Sequence, residues 1–326
     1  MTLLVLRLPL LNCVLVTAVA ACHSSTAPIA GSGPTHPDGV ITARRPLGFR
    51  PYGIAVSRDG VVLVVRADSN ALTRADLPDT VFTRSIPVGA EPTNVTFDAS
   101  GTRAYVTNQF SNTVGVVSVT SGVMVDAIPV TGNPFVVAVM PTDQSLFVST
   151  NANEVDRIDA STKQVLARIG SGGAANGFAF SPSSARLYVS VPFAGTVLEV
   201  NTQTNAVSRS FSMLPMPQGL AVSRDGTKLY VAAETSTQLY VIDLSGGRIS
   251  DSITVGAGGF DLQFTPDGAQ LYLSRSNAGA VQIIDPGGRA VLKTLSTGGT
   301  PRRLAFNRDG TMAVIANESG WVNFVR

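Results

Sequence analysis

Residues 217–243 read PQGLAVSRDGTKLYVAAETSTQLYVID, and this stretch is the unit that the rest of the chain repeats. It starts at a proline, continues through a short apolar strand and a polar turn ending in Gly226, and leads into two more apolar strands. The start position recurs at intervals of 41 or 42 residues, at Pro51, Pro92, Pro134, Ala175, Pro217, Gly259 and Pro301. Seven nearly equal units therefore cover most of the chain.

Each unit contains four short runs rich in Val, Ile, Leu, Phe and Tyr, which predicts four strands per unit. Apolar and polar residues alternate, as in Leu271-Tyr272-Leu273-Ser274, and the chain has 31 Gly and 19 Pro, unlike a helical solenoid. One such unit cannot cover both of its faces, so neighbouring units must stack. The sequence therefore predicts an all-β fold, a seven-bladed β-propeller with four antiparallel strands per blade, over residues 39–326.

The seventh unit lacks a fourth strand, because the sequence stops after Trp321-Val322-Asn323-Phe324-Val325-Arg326. Residues 39–47, GVITARRPL, precede the first full unit and are similar to a fourth strand. We predict that this N-terminal segment completes the C-terminal blade. Such pairing would close the ring and remove two exposed sheet edges.

The second strands share a short motif. Residues 105–108 read Tyr-Val-Thr-Asn, and related versions stand at Leu146–Ser149, Leu187–Ser190, Leu229–Ala232 and Leu271–Ser274. In this motif, and in the Asp-Gly turns that precede it, the chain resembles the YVTN family of β-propeller repeat proteins over residues 39–326. Blades one and seven depart from the motif at Val62–Val65 and Met312–Ile315. The resemblance implies a propeller that binds a partner without catalysis.

The repeat assigns the most conspicuous polar and aromatic residues to structural roles. The aspartates before the turn glycines are expected to form tight hairpin turns: Asp59, Asp225, Asp267 and Asp309. The aspartates that end third strands are expected to cap the next turn: Asp159, Asp243 and Asp285. The tyrosines of the second strands are expected to pack between blades: Tyr105, Tyr188, Tyr230 and Tyr272.

The charge and the residue types of the chain exclude several classes of function. The chain has 24 basic and 22 acidic residues and a net charge of +2, so we do not expect nucleic acid as a partner. The two histidines, His23 and His36, and the two cysteines, Cys13 and Cys22, all precede residue 39. The predicted propeller therefore has no Ser-His-Asp or Cys-His pair and no cysteine metal site. We expect a monomer without a metal or cofactor.

The N-terminus predicts export. Residues 1–21 read MTLLVLRLPLLNCVLVTAVAA. One Arg precedes an apolar run that ends in small residues, a pattern typical of a signal peptide. Val19-Ala20-Ala21-Cys22 resembles the bacterial lipobox, which implies cleavage before Cys22 and a lipid on Cys22. Ordinary cleavage after Ala20 is the alternative, because Ala18-Val19-Ala20 also fits a signal-peptidase site.

Residues 22–38 are rich in Ser, Thr, Gly and Pro and are expected to form a flexible linker. We therefore expect an exported protein of the bacterial cell envelope, held at the membrane by the lipid on Cys22, on its periplasmic or its outer surface.

Function is expected where the blades differ. Propellers commonly bind at one end of the central channel, which is formed by the starts of the first strands and the loops between second and third strands. The variable residues near the start positions are Arg50, Tyr52, Glu91, Asn94, Asn133, Phe135, Asn176, Gln218, Phe260, Asp261, Arg302 and Arg303. The loops add Arg66, Gln109, Phe110, Asn151, Phe193, Glu234, Arg275 and Glu318. From these we select as candidate ligand-binding residues of the channel rim Arg50, Tyr52, Glu91, Asn94, Asn176, Gln218, Asp261, Arg302 and Arg303.

Two functions remain open. The first is a non-catalytic binding or scaffold protein of the cell envelope, whose channel rim holds a protein or a polar ligand. The second is a metal-dependent hydrolase that resembles the propeller lactonases, in which a divalent cation in the channel polarises a carbonyl and activates water. The oxygen ligands available for such a cation are Glu91, Asn94, Asn176 and Asp261.

Overall fold

The computed structural model describes residues 36–48, 50–212 and 214–326. The predicted signal peptide, the predicted lipidation site at Cys22 and the predicted linker before residue 36 lie outside these residues. Within them the chain forms 28 strands and three short 3-10 helices, and the strands make seven four-stranded sheets. No helix in this part of the chain is long and apolar enough to span a membrane.

Each sheet is one blade, and its first strand lies at the central channel. A single strand, β1 (Ile41–Pro46), precedes the first blade. Blade one holds β2 (Pro51–Val56), β3 (Val61–Arg66), β4 (Ala71–Asp76) and β5 (Phe82–Pro87). Blade two holds β6 (Pro92–Phe97), β7 (Arg103–Asn108), β8 (Thr113–Ser118) and β9 (Val123–Pro129). Blade three holds β10 (Pro134–Val139), β11 (Leu146–Thr150), β12 (Glu154–Ile158) and β13 (Val165–Gly170).

The remaining blades follow the same order. Blade four holds β14 (Gly177–Phe180), β15 (Arg186–Val191), β16 (Thr196–Asn201) and β17 (Ala206–Phe211). Blade five holds β18 (Pro217–Val222), β19 (Lys228–Ala233), β20 (Gln238–Asp243) and β21 (Arg248–Thr254). Blade six holds β22 (Gly259–Phe264), β23 (Leu271–Arg275), β24 (Ala280–Asp285) and β25 (Ala290–Ser296). Blade seven begins with β26 (Pro301–Phe306), β27 (Ala313–Asn317) and β28 (Trp321–Val325). The 3-10 helices are Ala67–Ser69, Pro192–Ala194 and Ser276–Ala278.

Strand β1 is the fourth strand of blade seven, whose sheet has the order β1-β28-β27-β26. The two end strands run antiparallel, with Ile41 opposite Val325 and Pro46 opposite Trp321. Beyond the strands, Val40 and Arg326 exchange two backbone hydrogen bonds of 2.6 and 2.8 Å. The predicted closure of the ring by residues 39–47 is therefore confirmed.

The residues just before β1 are held by blade six. The Tyr272 hydroxyl donates to the Pro37 carbonyl at 3.1 Å, and the Lys293 ammonium donates to the Asp38 carbonyl at 3.2 Å. The imidazole Nδ1 of His36 lies 2.9 Å from Asp267 Oδ2. The closing strand is thus joined to blade seven by its ladder and to blade six by the residues that precede it.

Seven clusters of buried apolar side chains fill the spaces between consecutive blades in the described residues. The second-strand tyrosines belong to these clusters. For example, Tyr230 of blade five meets Phe264 of blade six edge-on at 5.5 Å, and Tyr272 meets Phe306 of blade seven at 5.0 Å. Edge-to-face pairing adds to the free energy gained by burying the rings. The prediction that these tyrosines pack between blades is confirmed.

The turn aspartates have the predicted roles. Asp225 Oδ1 accepts from the Thr227 amide at 3.0 Å, and Gly226 has a φ of +71° that favours glycine. Asp243 Oδ1 accepts from the Ser245 amide at 3.0 Å, which caps the turn after the third strand. Hydrogen bonds from Ser161 to the equivalent carboxylate lower the pKa of Asp159 to about 2.

The third strands contain an unusual buried row. The third residue of this strand is polar and buried in four blades, and in each case a side-chain atom lacks a hydrogen-bond partner: Thr73, Asp156, Gln282 and Asn323. Asp156 is the only ionisable member. Its side chain is 1% exposed, neither carboxylate oxygen accepts a hydrogen bond, and Arg168 Nε lies 3.7 Å away. Burial raises the pKa of Asp156 above its ordinary value.

We expect Asp156→Asn to stabilise the protein near pH 7 by about 1 kcal/mol, or a few degrees in melting temperature. The folded-state pKa lies above the unfolded-state value, so ionisation of Asp156 costs stability. That cost is complete above the folded pKa and absent below the unfolded value. Melting curves of both proteins from pH 7 down to about 4 should therefore converge as the pH falls. A constant difference over this range would contradict the assignment.

Candidate binding site at the channel rim

The two faces of the ring are formed by different connections between strands. The connections between blades and the loops between second and third strands lie at one face, which we call the loop face. The hairpin turns between first and second strands lie at the other, which we call the turn face. The nine predicted rim residues stand at or just inside the loop-face end of the first strands, so their placement follows from the start positions of the repeat.

The outermost charged residues form a chain of ion pairs across three blades. Arg50 of blade one lies 2.6 Å from Glu91 Oε1 at the start of blade two, and 3.9 Å from Glu318 of blade seven. Arg302 Nη2 lies 2.6 Å from Glu318 Oε2. Each charge therefore has an opposite charge beside it, and none is left to attract a charged ligand strongly.

An aromatic layer covers the channel beneath these charges. It consists of Tyr52, Phe135 and Phe260, from blades one, three and six. Tyr52 meets the two phenylalanine rings edge-on at 5.9 and 6.0 Å. The Arg302 guanidinium lies 5.5 Å from the centre of the Tyr52 ring and 4.7 Å from that of Phe260. Burial raises the pKa of Tyr52.

One residue further into the channel, Arg303 crosses the ring. Its Nη2 donates to the Asn176 carbonyl at 2.7 Å, and its Nη1 lies 3.3 Å from Asp261 Oδ1. Blade four, which carries Asn176, lies across the ring from blade seven. The other Asp261 oxygen accepts from the Leu304 amide at 2.9 Å. Both charged side chains are at least nine-tenths buried, and Arg303 Nε has no partner.

Two amides extend this layer to blade five. The Asn176 amide donates to Gln218 Oε1, and the Gln218 amide donates to Glu234 Oε2 at 2.6 Å. The Asn176 carbonyl is engaged by Arg303, and strand β14 of blade four begins at Gly177, two residues after the start position that the repeat predicts. In the other six blades the first strand begins at the start position.

Close contact between blades explains two glycines beside this layer. A β-carbon on Gly53 would lie 2.7 Å from the Thr93 carbonyl oxygen of the next blade. A β-carbon on Gly219 would lie 2.6 Å from the Leu262 amide nitrogen. In blades two and six the equivalent positions hold Asn94 and Asp261, whose oxygens accept from the amide of the next blade. This position is therefore used to join neighbouring first strands.

A cavity of about 700 Å³ lies on the inner side of the Arg303 layer and is lined by first strands of all seven blades. Its lining includes Arg303 and Asp261 near the loop face and Arg58, Asp98 and Pro266 in the hairpin turns. The two side-chain layers separate it from the loop face. The channel is therefore closed at the face where the sequence predicts binding.

The four oxygens suggested for a lactonase-like cation do not form a cation site. Glu91 accepts from Arg50, Asn94 Oδ1 accepts from the Val137 amide at 3.3 Å, and both Asp261 oxygens are taken by Arg303 and Leu304. The Asn176 oxygen faces the Arg303 guanidinium at 3.3 Å. Among the described residues no group of three or more His, Cys, Asp or Glu side chains is placed to hold a metal. The residues thus do not fit the metal chemistry of the hydrolase alternative.

The structure brings eight of the nine predicted residues into one connected network, which spans the outer ion pairs, the aromatic layer and the Arg303 layer, and leaves Asn94 in a bond between blades. Four residues that complete the network were among the variable residues of the sequence analysis but not among the nine selected from them: Phe135, Phe260, Glu234 and Glu318. The sequence gives a reason to select the two phenylalanines together with Tyr52, because Phe135 and Phe260 occupy the same place in the repeat. Three large aromatic side chains at one repeat position of a propeller converge on the axis of the channel.

The fold and this site define a closed seven-bladed propeller whose loop face is a surface rather than a pore. The family model described as YNCE-like beta-propeller matches residues 48–270. The chain belongs to this family, which confirms its resemblance to YVTN-type propellers.

A chain of Kuenenia stuttgartiensis Hydrazine Synthase is similar in structure, with a TM-score of 0.78 and 17% sequence identity. The alignment covers 86% of this chain and 96% of that chain. At this identity the likeness shows the fold alone. A comparison with curated proteins gave no match.

Proposed function

We propose that this protein is a non-catalytic scaffold of the bacterial cell envelope, and that it binds another protein at its loop face. One observation carries the proposal: the channel is closed at that face by two layers of side chains whose polar groups already bind one another. A small polar ligand arriving there would have to break these contacts. A protein can bind the outer surface and leave them in place.

The proposal includes export and a lipid anchor on Cys22, which rest on the signal-peptide pattern and the lipobox-like sequence. A lipid anchor would hold the ring near the membrane and raise its effective concentration for a membrane-associated partner. Intact-mass analysis of the membrane fraction checks this part, since a mature chain without acyl mass contradicts it.

Photo-crosslinking in the native envelope tests the loop face. A photoreactive residue is placed at exposed loop-face positions, Thr235 and Ala152, and at exposed turn-face positions, Ser100 and Gln203. We expect a protein adduct from at least one loop-face position and none from the turn face. Adducts from the turn face alone, or from no position, would refute binding at the loop face.

A further inference from the structure

We propose that the loop face binds its partner through one uncharged sector, and that the partner is a folded protein with an uncharged, apolar, concave surface. The inference rests on the proposed function, because it names the contact surface within the face proposed to bind. The uncharged sector consists of five consecutive loops of blades two to four: residues 109–112, 130–133, 151–153, 171–176 and 192–195.

The sector combines a lack of charge with two exposed aromatic rings. Its five loops contain no Asp, Glu, Lys or Arg, and the one charged residue that borders them at this face is Glu154, which begins strand β12. The loops of the rest of the same face carry Arg50, Asp68, Glu91, Glu234 and Glu318. The centres of protein interfaces are depleted of charged residues in this way, while their rims keep them. Other loops of the same face, residues 255–258, 276–279 and 297–300, are also uncharged, so the sector is distinguished from them by its exposed aromatic rings.

Two phenylalanines stand out from the sector. Phe110 lies on the blade-two loop and is 67% exposed. Phe193 lies on the 3-10 helix of blade four and is 86% exposed. Other large exposed apolar residues of the described chain, such as Val125, Leu166 and Leu292, lie on fourth strands at the perimeter. Large aromatic side chains are enriched in interface centres and commonly dominate binding.

Backbone hydrogen bonds order the loops that carry both rings. The Phe110 amide donates to the Ala90 carbonyl at 3.1 Å. The Gly195 amide donates to the Pro192 carbonyl at 3.0 Å, and the Leu214 amide donates to Gly195 at 3.0 Å, so the loop carrying Phe193 is bonded at both ends. Loops that are already ordered lose little backbone entropy on binding.

The shape and charge of the sector specify the partner. Protruding rings require pockets, which a folded protein provides and a flat or flexible chain does not. Nucleic acid and anionic membrane surfaces are both bound through Lys and Arg side chains. The five loops of the sector contain no Lys or Arg. Charge complementarity therefore favours an uncharged protein surface.

The test places a photoreactive residue in the full-length chain, in its native envelope, at four exposed loop-face positions. Ala152 and Ala194 lie inside the sector, and Thr235 and Asn277 lie outside it. We expect the same protein adduct from Ala152 and Ala194 and none from the other two. The yield should persist at about 1 M salt, where charges are screened beyond about 3 Å.

Single substitutions then test the anchors. Phe110→Ser and Phe193→Ser should each lower the adduct yield at least about tenfold. Val207→Ser is the matched control, because Val207 is an exposed apolar residue on a fourth strand, outside the sector. Both phenylalanines are exposed, so melting temperatures should stay close to that of the unaltered protein.

The outcomes separate this inference from the proposed function. Adducts from Thr235 or Asn277 alone overturn the sector and leave binding at the loop face intact. Adducts to lipid alone, or to a second copy of this chain, also overturn the partner inferred here. The absence of adducts from all four positions overturns both the sector and the proposed function.

Discussion

Replacing Arg303 with alanine is expected to lower the melting temperature by about 10 °C, which corresponds to about 3–5 kcal/mol. The guanidinium joins blades four, six and seven through Asn176 and Asp261. Without it, the Asp261 carboxylate stays buried and keeps only the Leu304 amide as a donor. A buried charge without its partner costs far more than the pair contributes.

A double-mutant cycle separates the lost ion pair from lost packing. Asp261→Asn removes the charge and keeps an oxygen that can accept from Leu304. The double variant, Arg303→Ala with Asp261→Asn, should therefore melt above Arg303→Ala alone. The measurement is thermal unfolding followed by circular dichroism at neutral pH. If the two substitutions are additive, the ion pair between Arg303 and Asp261 contributes nothing to stability, and the predicted cost of an unpaired Asp261 is wrong.

Deleting residues 39–47 is expected to cost at least about 5 kcal/mol, comparable with the whole stability of many domains. The deletion removes the ladder between β1 and β28 and exposes the edge of β28, whose Val322 and Phe324 are fully buried. Each lost backbone hydrogen bond contributes about 1 kcal/mol, and each exposed large apolar side chain about 1.5–3 kcal/mol. The melting temperature should fall by more than about 10 °C.

Adding the strand back provides the control. A synthetic peptide of residues 36–47 should raise the melting temperature of the deleted protein, because it restores the ladder and the contacts of Pro37 and Asp38 with blade six. A deletion of equal length within residues 23–35 should leave the melting temperature unchanged. If the 39–47 deletion melts like the intact protein, β1 does not close the ring in solution.

The features that the sequence predicts are those that repeat. The start positions, the Asp-Gly turns and the interblade tyrosines recur every 41 or 42 residues, so one correct interpretation applies to several blades. Ring closure was also predictable. The seventh unit lacks its fourth strand, and residues 39–47 form a strand that belongs to no other unit, so pairing the two leaves neither edge exposed.

The contacts inside the rim were not predictable in the same way. The repeat places a residue at the channel but does not say which opposite side chain it reaches. Arg303 bonds Asn176, 127 residues away, because its side chain is long enough to cross the ring. The aromatic layer likewise depends on the channel's width, which sequence spacing does not give. Side chains pointing to a common axis must be placed in three dimensions before their partners can be named.

The pairing of β1 with β28 also has a consequence for the order of events during synthesis. Residues 41–46 are made long before residues 321–325, their antiparallel partners. The first strand must remain without its partner until the last one has been translated, so the ring cannot close before that point. Contacts so distant in sequence form slowly and expose unpaired strands in the meantime. A chain released before its last strand therefore has no closed state to reach, which distinguishes an unfinished product from a complete one.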